Sequence, residues 1–240
     1  MGKRNYLNIK MDYFFIDIDG TITDSNPERK YPECKLVWRN PIFGVIRDVM
    51  VEKGWDEEEA KRKIEEYADE VIWWDYPDFI AEFNLPVEET WGKIYEWHEN
   101  YLIVYEDTVD LIKELKKMNK NLYIVSNNPI VGCLLKLKRA GLGDITGTTY
   151  FRRILGANIL RGQKWQVQLW KRAIAQIGIK SEKIAIIGDN EEEDGNIPLS
   201  AGIGISFVLK RDIEENFYKE GKKIYFKNAK VLLEFLKNQS

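Results

Sequence analysis

Five apolar runs punctuate this chain, and segments of helical periodicity separate them. The runs lie over roughly 12–18, 121–126, 183–189, 202–209 and 223–226. Within each, apolar residues follow one another with little alternation, the pattern of strands buried on both faces. Between them, Val109, Leu111, Ile112 and Leu115 recur at helical spacing over 108–118. A second helix is predicted over 129–140, with Asn128 as N-cap, Pro129 at its first position and Gly141 ending it. A third covers 165–177 (Val167, Leu169, Trp170, Ala173, Ile174, Ile177), and the last about 228–238. Strand–helix alternation of this kind predicts an α/β fold with a doubly wound parallel sheet. Ligands of such sheets sit at the carboxyl ends of the strands, where Asp17, Ser126 and Asp189 fall.

Residues 25–104 carry a different pattern: helices follow one another and no strand signal is present. One helix starts after Asn40-Pro41, uses Phe43, Ile46, Val49 and Met50, and ends at Gly54. The next has Asp56 as N-cap with Glu59 three residues on, and an apolar face of Ala60, Ile64, Tyr67, Ala68 and Val71. The third follows Pro86 and shows Trp91, Ile94, Tyr95, His98 and Leu102. This is a helical insert of roughly eighty residues, so the expected domains are 1–24 with 105–240, and 25–104. Trp73, Trp74, Tyr76, Trp91, Tyr95 and Trp97 supply the bulk that a small core needs, with a minority left to face a cleft. The connection Asn26–Trp38 is expected to be flexible; Arg29, Lys30 and Arg39 in or near it read as solvated charges rather than substrate ligands.

Charged residues make up 31% of 240 and the net charge is −3, a balance that points to neither nucleic acid nor a bilayer as partner. No apolar run reaches the length of a membrane span and no secretory leader is apparent at Met1–Tyr6, so a cytoplasmic location is expected. The two cysteines, Cys34 and Cys133, form no paired motif. Cys133 and Arg139 match a Cys-x5-Arg spacing, but the residues between are bulky and helical and lack a phosphate-cradling glycine loop, so Cys133 reads as a core residue. With His98 the only histidine, sites built on several histidines are excluded, and His98 itself reads as a packed residue on the stripe of Trp91 and Tyr95. The chemistry is left to carboxylates.

Asp17 and Asp19 end the first run, followed by Gly20 and Thr21. Continued strand alternation would point both side chains the same way, and two such carboxylates call for a cation or a shared proton. Asp19-Gly20 is also a hairpin-turn signal, the lesser of the two readings. An EF-hand loop is excluded because Ile22 occupies the position that requires glycine. A second acidic group, Asp189 and Asp194, closes the run over 183–189; Glu191, Glu192 and Glu193 between them suit a helix N-terminus. Ser126-Asn127-Asn128 closes another run and opens a helix, which fits either a phosphate site or an ordinary capped turn.

Three motifs in this order (Asp-x-Asp-Gly-Thr, apolar strand-Ser-Asn, Gly-Asp-x4-Asp) resemble the haloacid dehalogenase-like hydrolase superfamily over nearly the whole chain. The resemblance implies Asp17 as nucleophile and Asp19 as general acid/base. It implies Mg²⁺ on Asp17, Asp189, Asp194 and the backbone carbonyl of Asp19. Gly20, Thr21, Ser126, Asn127 and Lys164 would serve the phosphate of a small-molecule phosphate ester. Lys164, before the helix at 165–177, takes the family's lysine position although the family's nearby proline is missing; Lys136 and Lys138 compete with it but are expected on a solvated helix face. Family dehalogenases lack the second aspartate, so phosphoryl chemistry is implied, with a phosphatase ahead of a phosphomutase and of a non-catalytic binding module. The helical insert would be the family's cap.

Overall fold

The computed structural model describes residues 11–25, 41–71 and 75–239. The expectations for Trp73, Trp74, Cys34, Arg29, Lys30, Arg39 and the Asn26–Trp38 connection fall outside them. The strands are β1 (Tyr13–Ile16), β2 (Thr23–Ser25), β3 (Leu102–Val104), β4 (Asn121–Val125), β5 (Arg153–Leu155), β6 (Ile184–Gly188), β7 (Ile205–Leu209), β8 (Phe217–Glu220) and β9 (Lys223–Phe226). Seven form one sheet in the order β5-β4-β1-β6-β7-β9-β8, parallel throughout except that β8 runs antiparallel to β9. The expected α/β architecture with a parallel, doubly wound sheet is what forms.

The helices are α1 (Ile42–Glu52), α2 (Glu57–Glu70), α3 (Tyr76–Glu82), α4 (Val87–Asn100), α5 (Glu106–Lys117), α6 (Ile130–Arg139), α7 (Ala157–Leu160), α8 (Val167–Ile177), α9 (Ile197–Ser200) and α10 (Ala229–Lys237). Strand periodicity divides the sheet's side chains between two faces. Phe14 and Ile16 pack with α5, α10 and the Cys133–Leu137 side of α6, while Phe15 packs with Trp170 and Ala173 of α8. A third apolar cluster belongs to the helical layer and holds Phe43, Ile46, Ile64, Tyr76, Phe79, Ile94 and Trp97. Leu135 of α6 joins that layer, so one helix seals both the sheet and the helices above it.

Local signals explain the boundaries. Asp56 caps α2 by accepting from the N–H groups of Glu58 and Glu59. α8 ends at Gly178 in the left-handed region, φ +67°. Asp75 and Asp78 form a capping box at α3.

Two expectations are corrected. The stretch 25–104 is not without strands: β3 within it pairs antiparallel with β2, Thr23 opposite Val104. Asn128 does not cap α6; Pro129 occupies the cap position and the Asn128 side chain is engaged elsewhere. Among the described residues no helix is long and apolar enough to cross a membrane.

Candidate active site

The chain passes from β1 outward to β4 and β5, then returns to lay β6 on the other side of β1. The strand order therefore reverses between β1 and β6, and the crevice at their carboxyl ends is where an open α/β sheet takes its ligand. Asp17 follows β1 and Asp189 follows β6, and the Asp17 N–H donates to the Ile187 carbonyl at 2.9 Å.

Three carboxylates converge there. Ligand oxygens of Asp17, Asp189 and Asp194 all lie within 4.8 Å of one another. Two glycines make room for them. A Cβ on Gly188 would sit 2.2 Å from Asp194 Cγ, and one on Gly20, whose φ is +72°, would sit 2.1 Å from Asp189 Oδ2. Asp194 is held in a π-helical turn, Glu191–Asn196, by its backbone carbonyl, which accepts from Ser206 Oγ at 2.6 Å, and by its carboxylate, which accepts from the Asn190 N–H at 3.2 Å. That turn replaces the simple acidic helix start expected for Glu191, Glu192 and Glu193.

Lys164 enters this cluster fully buried, its Nζ 2.8 Å from Asp17 Oδ1 and 2.6 Å from Asp194 Oδ1. Its loop is pinned without the family's proline. The Lys164 N–H donates to Asn127 Oδ1 at 2.6 Å and its carbonyl accepts from the Trp170 indole at 2.9 Å. Burial opposes the lysine's charge, but Asp17 and Asp194 outweigh it and push the pKa up. Burial raises Asp17 well above the usual carboxylate range; Lys164 offsets part of this and Asp194 and Asp189 add to it. Asp189 is pushed up to about 6, by burial first and then by Asp194. Three hard oxygen donors that repel one another, with one lysine between them, suit a divalent cation such as Mg²⁺.

Asp19 does not join this group. The strand ends at Ile16 and the backbone turns over Ile18–Thr23, so the alternation that would have set both aspartates side by side stops before Asp19. Its Oδ1 lies 2.5 Å from Lys136 Nζ and its Oδ2 accepts from the Asn128 side-chain amide. Burial would raise the Asp19 pKa, but Lys136 and Asn128 win and lower it. Lys136, expected on a solvated face, is instead 5% exposed, whereas Lys138 pairs at the surface with Glu99.

Asn128 is the hub of this second group. Its amide nitrogen also donates to Ser126 Oγ at 3.0 Å, its N–H donates to the same oxygen at 3.1 Å, and its Oδ1 accepts from Lys136 Nζ at 3.1 Å. Ser126 is buried with its hydroxyl oxygen accepting both bonds, which orients its O–H. Asn127 acts as a brace, donating to Glu193 at 2.8 Å while accepting from Lys164. The Gly20 and Thr21 N–H groups already donate to Thr23 and Ile18 carbonyls, and Thr21 Oγ1 lies 3.5 Å from Asp189 Oδ1. These bonds shape the turn, and the two N–H groups are engaged in it. Lys136 and Asn128 are the site residues sequence reasoning missed. The available signal was the α6 stripe Cys133, Lys136, Leu137, Ala140, whose other members are apolar or small.

Comparison with known proteins gives the chain a family and its fold a set of relatives. A family model described as haloacid dehalogenase-like hydrolase matches residues 11–196. The fold is similar to a HAD phosphatase from Thermococcus onnurineus (22% identity, 94% of this chain and 98% of that one, TM-score 0.62). It is also similar to the L-2-haloacid dehalogenase from Xanthobacter autotrophicus (15%, 96% and 100%, TM-score 0.59). A third is the HAD-hydrolase YfnB from Bacillus subtilis, solved bound to magnesium (16%, 95% and 99%, TM-score 0.56). No curated protein matches the chain closely enough to add to these. With a family model covering most of its length and the acidic crevice in place, the chain belongs to the haloacid dehalogenase-like hydrolases.

Proposed function

We propose that this hydrolase is a Mg²⁺-dependent phosphatase that releases phosphate from a small phosphorylated metabolite through an aspartyl-phosphate on Asp17. The observation that carries the reading is the second aspartate, two residues past the first and held apart from it by Lys136 and Asn128. A hydrolase cleaving carbon–halogen bonds has no use for an acid/base at that place, whereas phosphate-ester hydrolysis needs one twice. The likeness to a HAD phosphatase and to a magnesium-bound hydrolase supports the reading at the level of fold.

Each residue has a chemical task. Asp17, fixed by Lys164, attacks phosphorus. Ser126 donates its O–H to a phosphoryl oxygen, and Lys164 balances the charge that accumulates between Asp17 and the phosphate. Mg²⁺, held by Asp17, Asp189, Asp194 and the Asp19 carbonyl, would offset the repulsion between carboxylates and phosphate. Asp19 gives its proton to the leaving oxygen and then takes one from the water that opens the aspartyl-phosphate. The lowered pKa makes protonated Asp19 a strong acid; the carboxylate left after donation takes a proton from water, and that proton is the one given to the leaving oxygen of the next turnover. The helical layer would act as a cap that excludes bulk water, with domain limits of 1–24 and 105–240 against 25–104.

The test is phosphate release from a metabolite panel and one aryl phosphate, with Mg²⁺ or with chelator, and Asp17→Asn alongside. Turnover that needs Mg²⁺ and is lost in the variant is expected. Turnover indifferent to Asp17, or release of halide in preference to phosphate, would overturn the reading.

A further inference from the structure

Two polar groups take part in no step above: one N–H of Lys136, the lysine paired with Asp19, and the imidazole of His98. The first is on α6. Lys136 Nζ carries three N–H bonds; one faces Asp19 Oδ1 and one faces Asn128 Oδ1, and the third has no partner among the described residues. The second is on α4. His98 is 2% exposed, its Nδ1 lies 2.8 Å from the Ile94 carbonyl oxygen, and its Nε2 is buried with no hydrogen-bond partner. A carbonyl oxygen only accepts, so Nδ1 carries the proton and Nε2 presents a lone pair. Burial holds this imidazole neutral, with its pKa lowered to about 4.

Packing brings the two together. α4 lies along α6, with Glu99 and Lys138 paired at 2.8 Å one residue further on from His98 and two from Lys136. Tyr76 wedges beside them, its ring 6.2 Å from that of His98 and its hydroxyl against Gly132 of α6, where an added Cβ would meet it at 2.6 Å. The charges of Lys136 and Asp19 both act on the His98 ring. A buried acceptor left unmatched is costly, and such groups in native structures call for an explanation.

We propose that His98 Nε2 and the third N–H of Lys136 form a hydroxyl-binding subsite beside Asp19, which selects phosphate monoesters carrying a hydroxyl on the carbon next to the ester carbon. The inference rests on the phosphatase reading and deepens it. One lone pair and one N–H match a hydroxyl, which both donates and accepts. They do not match a carboxylate, which has no proton for Nε2 and would face its lone pair. A leaving oxygen that reaches Asp19 for its proton brings its neighbouring carbon alongside Lys136, so the selected hydroxyl is vicinal.

The test is a series of three small esters that differ at one position: 2-hydroxyethyl phosphate, ethyl phosphate and carboxymethyl phosphate, assayed with Mg²⁺ and with an aryl phosphate as reference. The expected kcat/KM for the hydroxyl ester exceeds that of the ethyl ester about tenfold or more, since a site built to bond a hydroxyl rejects its absence. The carboxylate ester is expected to fall below both. In His98→Leu the ratio of hydroxyl to ethyl ester should drop to about one, and His98→Gln, which keeps an acceptor, should restore part of it. Aryl phosphate turnover with no hydroxyl preference, a preference for the carboxylate, or a preference unchanged in His98→Leu would overturn the subsite while leaving the phosphatase standing. If His98→Leu does not fold, the ester ratios of the unaltered enzyme and of His98→Gln decide alone. No phosphate release from any ester, in a folded protein that binds Mg²⁺, would overturn the phosphatase reading and the subsite with it.

Discussion

Replacing Lys164 by Met isolates the electrostatic role of the buried lysine. Met fills a similar volume, and the loop's own anchors, Asn127 to the backbone N–H and Trp170 to the carbonyl, do not involve the Lys164 side chain. What changes is charge. The side chains of Lys164, Asp17 and Asp194 are 3%, 6% and 0% exposed, so solvent screens none of them appreciably. Removing one partner of a buried ion pair costs about 3–5 kcal/mol because the remaining charge is left uncompensated. For a chain of this size that corresponds to a fall in Tm of roughly 6–20 °C. The loss should depend on what replaces the cation. In Mg²⁺ it shrinks, because the metal takes over compensation of the same carboxylates. In chelator it grows as pH rises from 5 to 8, because carboxylates whose folded pKa is raised contribute stability below their unfolded pKa and lose it as pH passes the folded one. Urea unfolding in Mg²⁺ and in chelator at several pH values measures all three. An equal loss under every condition would show that Lys164 acts only by packing, and a loss below about 1 kcal/mol in chelator would refute the buried-charge reasoning.

Gly188→Ala places a methyl group on Asp194 and should weaken Mg²⁺ binding about tenfold or more, measurable by calorimetry without any substrate. Gly20→Ala adds left-handed strain of about 1–2 kcal/mol to a clash with Asp189, so the urea midpoint should fall even without metal. In chelator, stability of the unaltered protein should decline between pH 4 and 7 as Asp189, with a folded pKa of about 6, loses its proton, and saturating Mg²⁺ should reverse that slope. Lys136→Met removes the cation that lowers the Asp19 pKa, so the acid limb of the pH–rate profile should move to higher pH and kcat should fall about a hundredfold.

The sheet was legible because its strands are buried on both faces and therefore written as apolar runs. β9 falls at Lys223–Phe226 as read, and β4 and β6 within a residue or two of their runs. β2, β3 and β5 have three residues each and β8 is largely exposed, so none leaves such a run. The first residue of each site motif was also legible, since each falls at a strand's carboxyl end. Lys164 needed the family resemblance; the structure sets its Nζ between Asp17 and Asp194. Lys136 was misread for a physical reason. A lysine on a helix is usually solvated, and only its phase with Cys133, Leu137 and Ala140 reveals that α6 turns it inward. Asn128 was misread because an Asn before a helix usually caps it, whereas here Pro129 shifts the helix start and frees the amide for Asp19 and Ser126.

In the proposed reaction the phosphoryl group passes through Asp17. The most direct measurement is acid quenching during turnover of an aryl phosphate in Mg²⁺, followed by borohydride reduction and peptide mass spectrometry. The peptide containing Asp17 should be recovered with that residue reduced to homoserine, and no such product should form in Asp17→Asn or in chelator. Full turnover with Asp17 unmodified, or the modification found at another carboxylate, would contradict it.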